Sequence, residues 1–169
     1  MSEVTLVNCE SAATINLQGA HVTSWRVRGK EQLYMMPSPK FDGHSEVFGG
    51  IPIIFPRLGG WGEGKPLHGF ARTATWKKAA SGDGGDANTV TLVFESSAFT
   101  RSIFDAEFSL ELNFSLGESH LTLDLNIENR GEKSFEFTAL FHNYIYVEDV
   151  RLMSLHGLAD TDFKNAADG

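Results

Sequence analysis

The sequence predicts an all-β protein built as an antiparallel β-sandwich, and three observations carry that expectation. Apolar and polar residues alternate over Phe108, Leu110, Leu112, Phe114 and Leu116, and again over Leu121, Leu123, Leu125 and Ile127. A period of two lines one face of a strand with apolar side chains. Only Gly117-Glu118-Ser119-His120 separates the two rows, a length that closes an antiparallel hairpin. No segment shows the 3.6-residue apolar period of an amphipathic helix.

Taken in chain order, strands are expected at residues 14–17, 21–27 and 89–94. A polar, glycine-rich stretch at 81–88 reads as a solvated hairpin connection before the last of these. The hairpin follows. Asn129-Arg130-Gly131-Glu132-Lys133 makes the next turn and leads to a long third strand at 134–147. On that strand the odd positions (Phe135, Phe137, Ala139, Phe141, Ile145, Val147) form a core-facing row, and His142 stands on the opposite row between Leu140 and Tyr144. A further strand is expected near 150–155. Long strands in succession favour a large sandwich over a small barrel. Nothing in the terminal Lys164-Asn-Ala-Ala-Asp-Gly169 reads as a closing element, so the expected sandwich is incomplete. Residues 1–169 are then the N-terminal portion of a single domain.

Composition narrows the function classes. The chain has 169 residues, 41% of them apolar and 21% charged, with a net charge of −8. That balance disfavours a nucleic-acid binder, which carries a basic face, and an anionic membrane surface. The single cysteine, Cys9, excludes a disulfide within the chain and suits a reducing compartment. The N-terminus lacks the basic and apolar regions of a signal peptide, and no apolar run reaches the roughly 20 residues of a membrane span. A cytoplasmic protein is expected.

The most informative stretch is GGIPIIFPRLGGWGEGKPLHGFAR at 49–72. Its prolines remove donors and fix φ, its glycines allow tight turning, and its apolar residues anchor it. A long irregular segment of this kind inside a compact domain reads as a site wall. His68 and Arg72, four apart around Gly69, can both face a cleft, where the guanidinium offers several donors to hydroxyls, carboxylate or phosphate. Arg57, Trp61 and Lys65 suit a sugar or another small polar ligand; alternatively Trp61 is a lid packed on the sheet. His142 can exchange protons near neutrality, or is simply a hydrogen-bonded residue on a sheet surface. His21 and His120 read as structural or exposed. Zinc-ligand spacing, a phosphate-binding loop and a nucleophile elbow are all missing.

Four segments carry a resemblance: GAHVTSW at 19–25, GGIPIIFPRLG at 49–59, HGFAR at 68–72 followed by Trp76, and ALFHNYIYVEDV at 139–150 followed by GL at 157. In order and spacing, over essentially the whole chain, they resemble the aldose 1-epimerase superfamily, specifically its glucose-6-phosphate 1-epimerase (hexose-6-phosphate mutarotase) branch. The resemblance implies a sandwich of the galactose-mutarotase type and interconversion of the α and β anomers of a hexose, most specifically a hexose 6-phosphate. Acid and base suffice for that reaction, so it implies neither cofactor nor metal. It makes His142 the catalytic proton donor and Arg72 a substrate-binding residue, with His68 in the same motif. Phe48 stands where the branch usually has arginine, and Leu67 where it often has glutamine. Arg57 or Lys65 is the expected replacement cation for a phosphate. The family's catalytic glutamate lies well downstream of the histidine, and Glu148 and Asp149 are too close to His142 to oppose it. This chain is therefore expected to hold the acid and much of the binding wall without the general base. A fragment, a truncated gene product and a protein that binds without turnover all fit that expectation. The alternative function is a noncatalytic carbohydrate-binding sandwich. The expected partner is a small-molecule sugar or sugar phosphate, with self-association through an exposed sheet edge as a further possibility.

Overall fold

A computed structural model describes residues 2–79, 88–157 and 160–162. Most of the glycine loop at 81–88 and the terminal residues 164–169 lie outside the described residues. Strands β1 (Glu3–Asn8), β2 (Ser11–Asn16), β3 (His21–Val27) and β4 (Lys30–Glu31) form one antiparallel sheet in that order. Strand β5 (Ile53–Ile54) follows. A second sheet, also in sequence order, contains β6 (Lys77–Lys78), β7 (Thr89–Glu95), β8 (Phe108–Leu116) and β9 (Leu121–Asn129). Strand β10 (Leu140–Phe141) pairs antiparallel with β5.

The two larger sheets close on one apolar core. Leu6, Ala13, Ile15 and Val22 from the first meet Val90, Leu92, Leu110, Leu112 and Phe114 from the second. The alternation read in β8 is observed: all five of its apolar positions are buried, while Glu111 and Ser115 face out. Each large apolar side chain buried in this way contributes about 1.5–3 kcal/mol. At one end of the core Phe55, Phe70, Phe94, Phe104 and Phe108 form an aromatic cluster with centroid separations of 5.1–6.4 Å. Strand β9 pairs with β8 over all nine residues, as the hairpin reading requires. Its apolar row is only half-buried.

Several sequence expectations are corrected. The segment 134–147 is not one continuous strand; only Leu140–Phe141 forms a ladder. The segment does run along residues 49–56, with Thr138 N–H donating to Pro56 O, His142 N–H to Pro52 O and Tyr144 N–H to Gly50 O. Pro52 and Pro56 have no N–H to return, so regular pairing survives only at Ile53–Ile54. The predicted core row also breaks. Phe135, Ala139 and Phe141 pack on the core, but Phe137, Ile145 and Val147 are exposed. Residues 150–152 form a 3-10 turn capped by the Asp149 side chain, not the start of a strand. Strand β2 begins earlier than expected and ends at Asn16, and β1 was not anticipated. A short helix, α1 (Ala98–Ile103), is held by reciprocal hydrogen bonds between Ser97 and Thr100.

Candidate active site

The span 49–72 is pinned at both ends by backbone packing. At the first end the buried His21 donates through Nε2–H to Gly49 O at 2.8 Å. Burial pushes the His21 imidazole down to about 4, so it is neutral at pH 7 and acts as a fixed donor. Gly50 has φ +63°, and a Cβ there would stand 2.1 Å from Val22 O. At the second end Gly69 has φ +75°, and a Cβ would stand 2.0 Å from Phe55 O. That carbonyl instead accepts from Phe70 N–H at 3.0 Å and Ala71 N–H at 3.3 Å. The Trp76 indole, buried below, donates to Ala71 O at 3.0 Å. Such close crossings set where the neighbouring side chains, His68 and Arg72, leave the backbone.

His68 is held from both sides by Gly59. Its own N–H donates to Gly59 O at 3.0 Å, and Gly59 N–H donates to Nδ1 at 2.9 Å. Because Nδ1 accepts, the neutral ring carries its proton on Nε2. Partial burial holds the His68 imidazole below its ordinary value, assisted by the positive charges of Arg72 and His142 and opposed by Glu46. His68 is therefore a neutral ring whose Nε2–H has no partner among the described residues. Arg72 is mostly covered, its side chain 12% exposed. Its Nη2 reaches Glu46 Oε1 at 2.5 Å and Leu67 O at 2.9 Å. Among the described residues its Nε–H is buried without a partner.

His142 is exposed. Its main chain is tied to Pro52 O, and its ring stacks on Tyr144 at a centroid separation of 4.7 Å and an interplanar angle of 23°. Backbone hydrogen bonds from His142 to Pro52 O and from Phe70 and Ala71 to Phe55 O bring the segments bearing His142, His68 and Arg72 against the same short stretch, 52–55, and both Arg72 and His142 lower the His68 pKa. Arg57 is elsewhere. With Trp61, Lys65, Phe104, Asp105 and Thr138 it lines an open depression of about 540 Å³ that none of the other three lines. Trp61 is the packed lid: its Nε1–H donates to Pro66 O at 2.7 Å, its ring contacts Phe70 and Phe104, and Lys65 Nζ lies 4.5 Å from its centroid. Phe48 and Leu67 are both exposed.

Glu46 is the member of this cluster that sequence reasoning missed. It lies in irregular chain between β4 and β5, where no periodicity points to it. Chemically the cluster combines an exposed imidazole, a neutral imidazole and a buried guanidinium. That set suits recognition of hydroxyl groups with proton transfer at one of them. Among the described residues no group of three or more histidine, cysteine or carboxylate side chains could hold a metal ion.

Comparison with known proteins decides the family. A model of the aldose 1-epimerase family matches residues 2–167. The chain belongs to the aldose 1-epimerase family. A Salmonella typhimurium protein provisionally named glucose-6-phosphate 1-epimerase is 36% identical over 152 residues, covering 88% of this chain and 49% of that protein. A solved structure from the same bacterium, provisionally named a mutarotase, is 34% identical with a TM-score of 0.69, covering 86% of this chain and 48% of that one. A Synechocystis sp. PCC 6803 structure reaches a TM-score of 0.77 at 25% identity, over 85% of this chain and 54% of its own. The fold is thus the mutarotase-type β-sandwich expected from the resemblance. The chain spans about half the length of the curated relatives it matches.

Proposed function

We propose that this chain provides the proton donor and much of the binding wall of a site that interconverts the α and β anomers of a hexose, with hexose 6-phosphate as the substrate class. A proton delivered to the ring oxygen and one taken from the anomeric hydroxyl open the hemiacetal to the free aldehyde. Rotation about C1–C2 presents the other carbonyl face. Reclosure then reverses both transfers, so no electrons are exchanged. His142, exposed beside the span, delivers the first proton. His68 holds a sugar hydroxyl through Nε2–H, and Arg72, its guanidinium mostly covered and bonded to Glu46 and Leu67 O, builds the wall beside it. The base is assigned to no residue of this chain: Glu46, the carboxylate in the cluster, is committed to Arg72. Arg57 and Lys65 line a depression separate from that cluster and are not assigned to the phosphoryl group; the hexose 6-phosphate class is supported by the naming of the Salmonella relative.

The observation that carries this reading is that the segment bearing His142 runs hydrogen-bonded along residues 50–56 of the pinned span, whose Phe55 carbonyl in turn anchors the turn bearing His68 and Arg72. Anomer exchange of glucose 6-phosphate, followed by NMR exchange spectroscopy, tests it. The expected result is saturable binding and, once a carboxylate base such as acetate is supplied, a rate above that of acetate alone that His142→Ala removes. Binding with no added rate even then selects the noncatalytic carbohydrate-binding alternative, and no binding rejects both. Arg57→Ala is expected to leave the discrimination between hexose and hexose 6-phosphate unchanged; a loss confined to hexose 6-phosphate would place the phosphoryl group in the separate depression that Arg57 lines.

A further inference from the structure

The two imidazoles of the site are held by different means. The His68 ring is fixed through Nδ1, which accepts from Gly59 N–H, so one of its nitrogens is already engaged. The His142 ring instead lies on Tyr144, with centroids 4.7 Å apart and planes 23° from parallel. A contact of that kind uses the face of the imidazole, whereas both nitrogens lie in the ring plane at its edge. It orients the ring and leaves both nitrogens available to a proton. A group that delivers a proton and takes it back needs that availability together with a defined direction.

The stacking partner is itself firmly placed. His142 N–H donates to Pro52 O and Tyr144 N–H to Gly50 O, the pattern of alternate residues along an antiparallel partner. Alternate residues of an extended chain share a face, which brings imidazole and phenol together. Around Tyr144 the backbone closes a ring of three hydrogen bonds. Tyr144 N–H donates to Gly50 O at 2.9 Å, Gly50 N–H to Tyr34 O at 2.7 Å, and Tyr34 N–H to Tyr144 O at 2.9 Å. Gly50 belongs to the first pinned end of the span, where a Cβ has no room. Three separate segments thus fix the backbone from which the phenol ring leaves. Tyr144 is half-buried and His142 exposed, so the packed ring supports the open one.

We propose that Tyr144 is the positioning residue of His142: the face of its ring selects one rotamer of the imidazole, independently of its hydroxyl, while both imidazole nitrogens stay available. An aromatic pair of this kind favours the stacked rotamer roughly 2- to 10-fold over unstacked ones. Its consequence for the rate rests on the proton-donor reading of His142, whereas the orientation exists without substrate.

Two readouts on the whole chain separate orientation from chemistry. The first is NMR of the His142 side chain without sugar, through the three-bond couplings across χ1 and the ring-proton shifts that the ring current of Tyr144 displaces. The parent chain and Tyr144→Phe should show one dominant rotamer and displaced shifts. Tyr144→Leu should show averaged couplings and shifts near those of a free histidine, with the His21 and His68 rings unmoved as a sign of an intact fold. Tyr144→Met, also without an aromatic face, repeats the measurement if Tyr144→Leu does not fold. The second readout is anomer exchange of glucose 6-phosphate with acetate supplied. Tyr144→Leu should lower the His142-dependent rate at saturating sugar roughly 2- to 10-fold with little change in Kd, and Tyr144→Phe should restore it. Averaged couplings in the parent chain, or parent-like couplings in Tyr144→Leu, overturn the proposal. So does a loss of rate in Tyr144→Phe as large as in Tyr144→Leu, which would assign the work to the hydroxyl. A parent chain that adds no rate to that of acetate rejects the proton-donor reading alone, and the couplings still decide whether Tyr144 orients the ring.

Discussion

Six of the seven glycines of the span 49–72 fall into two sets that look alike in sequence and behave oppositely in the fold. Gly49, Gly50 and Gly69 sit at left-handed φ with backbone atoms 2.0–2.5 Å from where a Cβ would be. Gly59, Gly60 and Gly64, in the middle, have nothing within 4 Å. The first set is required because two chain segments cross there with no room for a methyl group. The second supplies only local freedom. The site wall is therefore clamped at its ends, beside His142 and between His68 and Arg72, and slack where it bulges into solvent.

The largest expected effect attacks a clamp. Gly69→Ala or Gly50→Ala should destabilise the chain by about 3 kcal/mol or more, through both backbone strain and a collision with a carbonyl that cannot retreat. Urea denaturation checks this, and a loss below about 1 kcal/mol would dissolve the distinction between the sets. Next comes the protonation of His21, which ties the first clamp to β3. Its folded pKa lies below the unfolded 6.5, so the unfolded chain binds the extra proton. The stabilisation is complete above pH 6.5 and is lost as the pH falls from there through about 4. On the order of 3 kcal/mol is at stake. In His21→Gln, which keeps a side-chain donor but cannot titrate, that part of the pH slope should vanish.

These clamps explain what the sequence did and did not disclose. The β8–β9 hairpin was legible because its alternation runs unbroken through both strands and the turn between them is short. The span 49–72 was legible as a wall because its prolines and glycines fit no regular element. Segment 134–147 was misread because its own residues look strand-like throughout, while the interruption comes from Pro52 and Pro56 on the partner. Pairing is a property of two segments, and one-segment periodicity does not register it. Helix α1 was missed because six residues are too few to display a 3.6-residue period. Arg57 was grouped with the other site residues by sequence proximity, yet the bend of the loop carries it into another depression. Glu46 had no local signature at all; only the fold brings its carboxylate to Arg72.

Smaller effects sharpen the contrast at the second clamp. Glu46 raises the His68 pKa, whereas Arg72 lowers it. Glu46→Gln should therefore move the His68 titration, followed by NMR of the ring, to lower pH, and Arg72→Gln should move it to higher pH. Equal shifts in both variants would mean that packing rather than charge dominates. The smallest effect belongs to the slack middle. Gly60→Ala, at a position without left-handed φ and with open space around it, should change stability by no more than about 0.5 kcal/mol.

The most direct test of the sugar-site account is a titration of the chain with glucose 6-phosphate, followed through its histidine ring resonances. His68 and His142 should move together and saturate with one Kd, while His120, exposed in the β8–β9 turn, stays still. A titration in which neither His68 nor His142 responds, or in which His120 moves as much as they do, would contradict it.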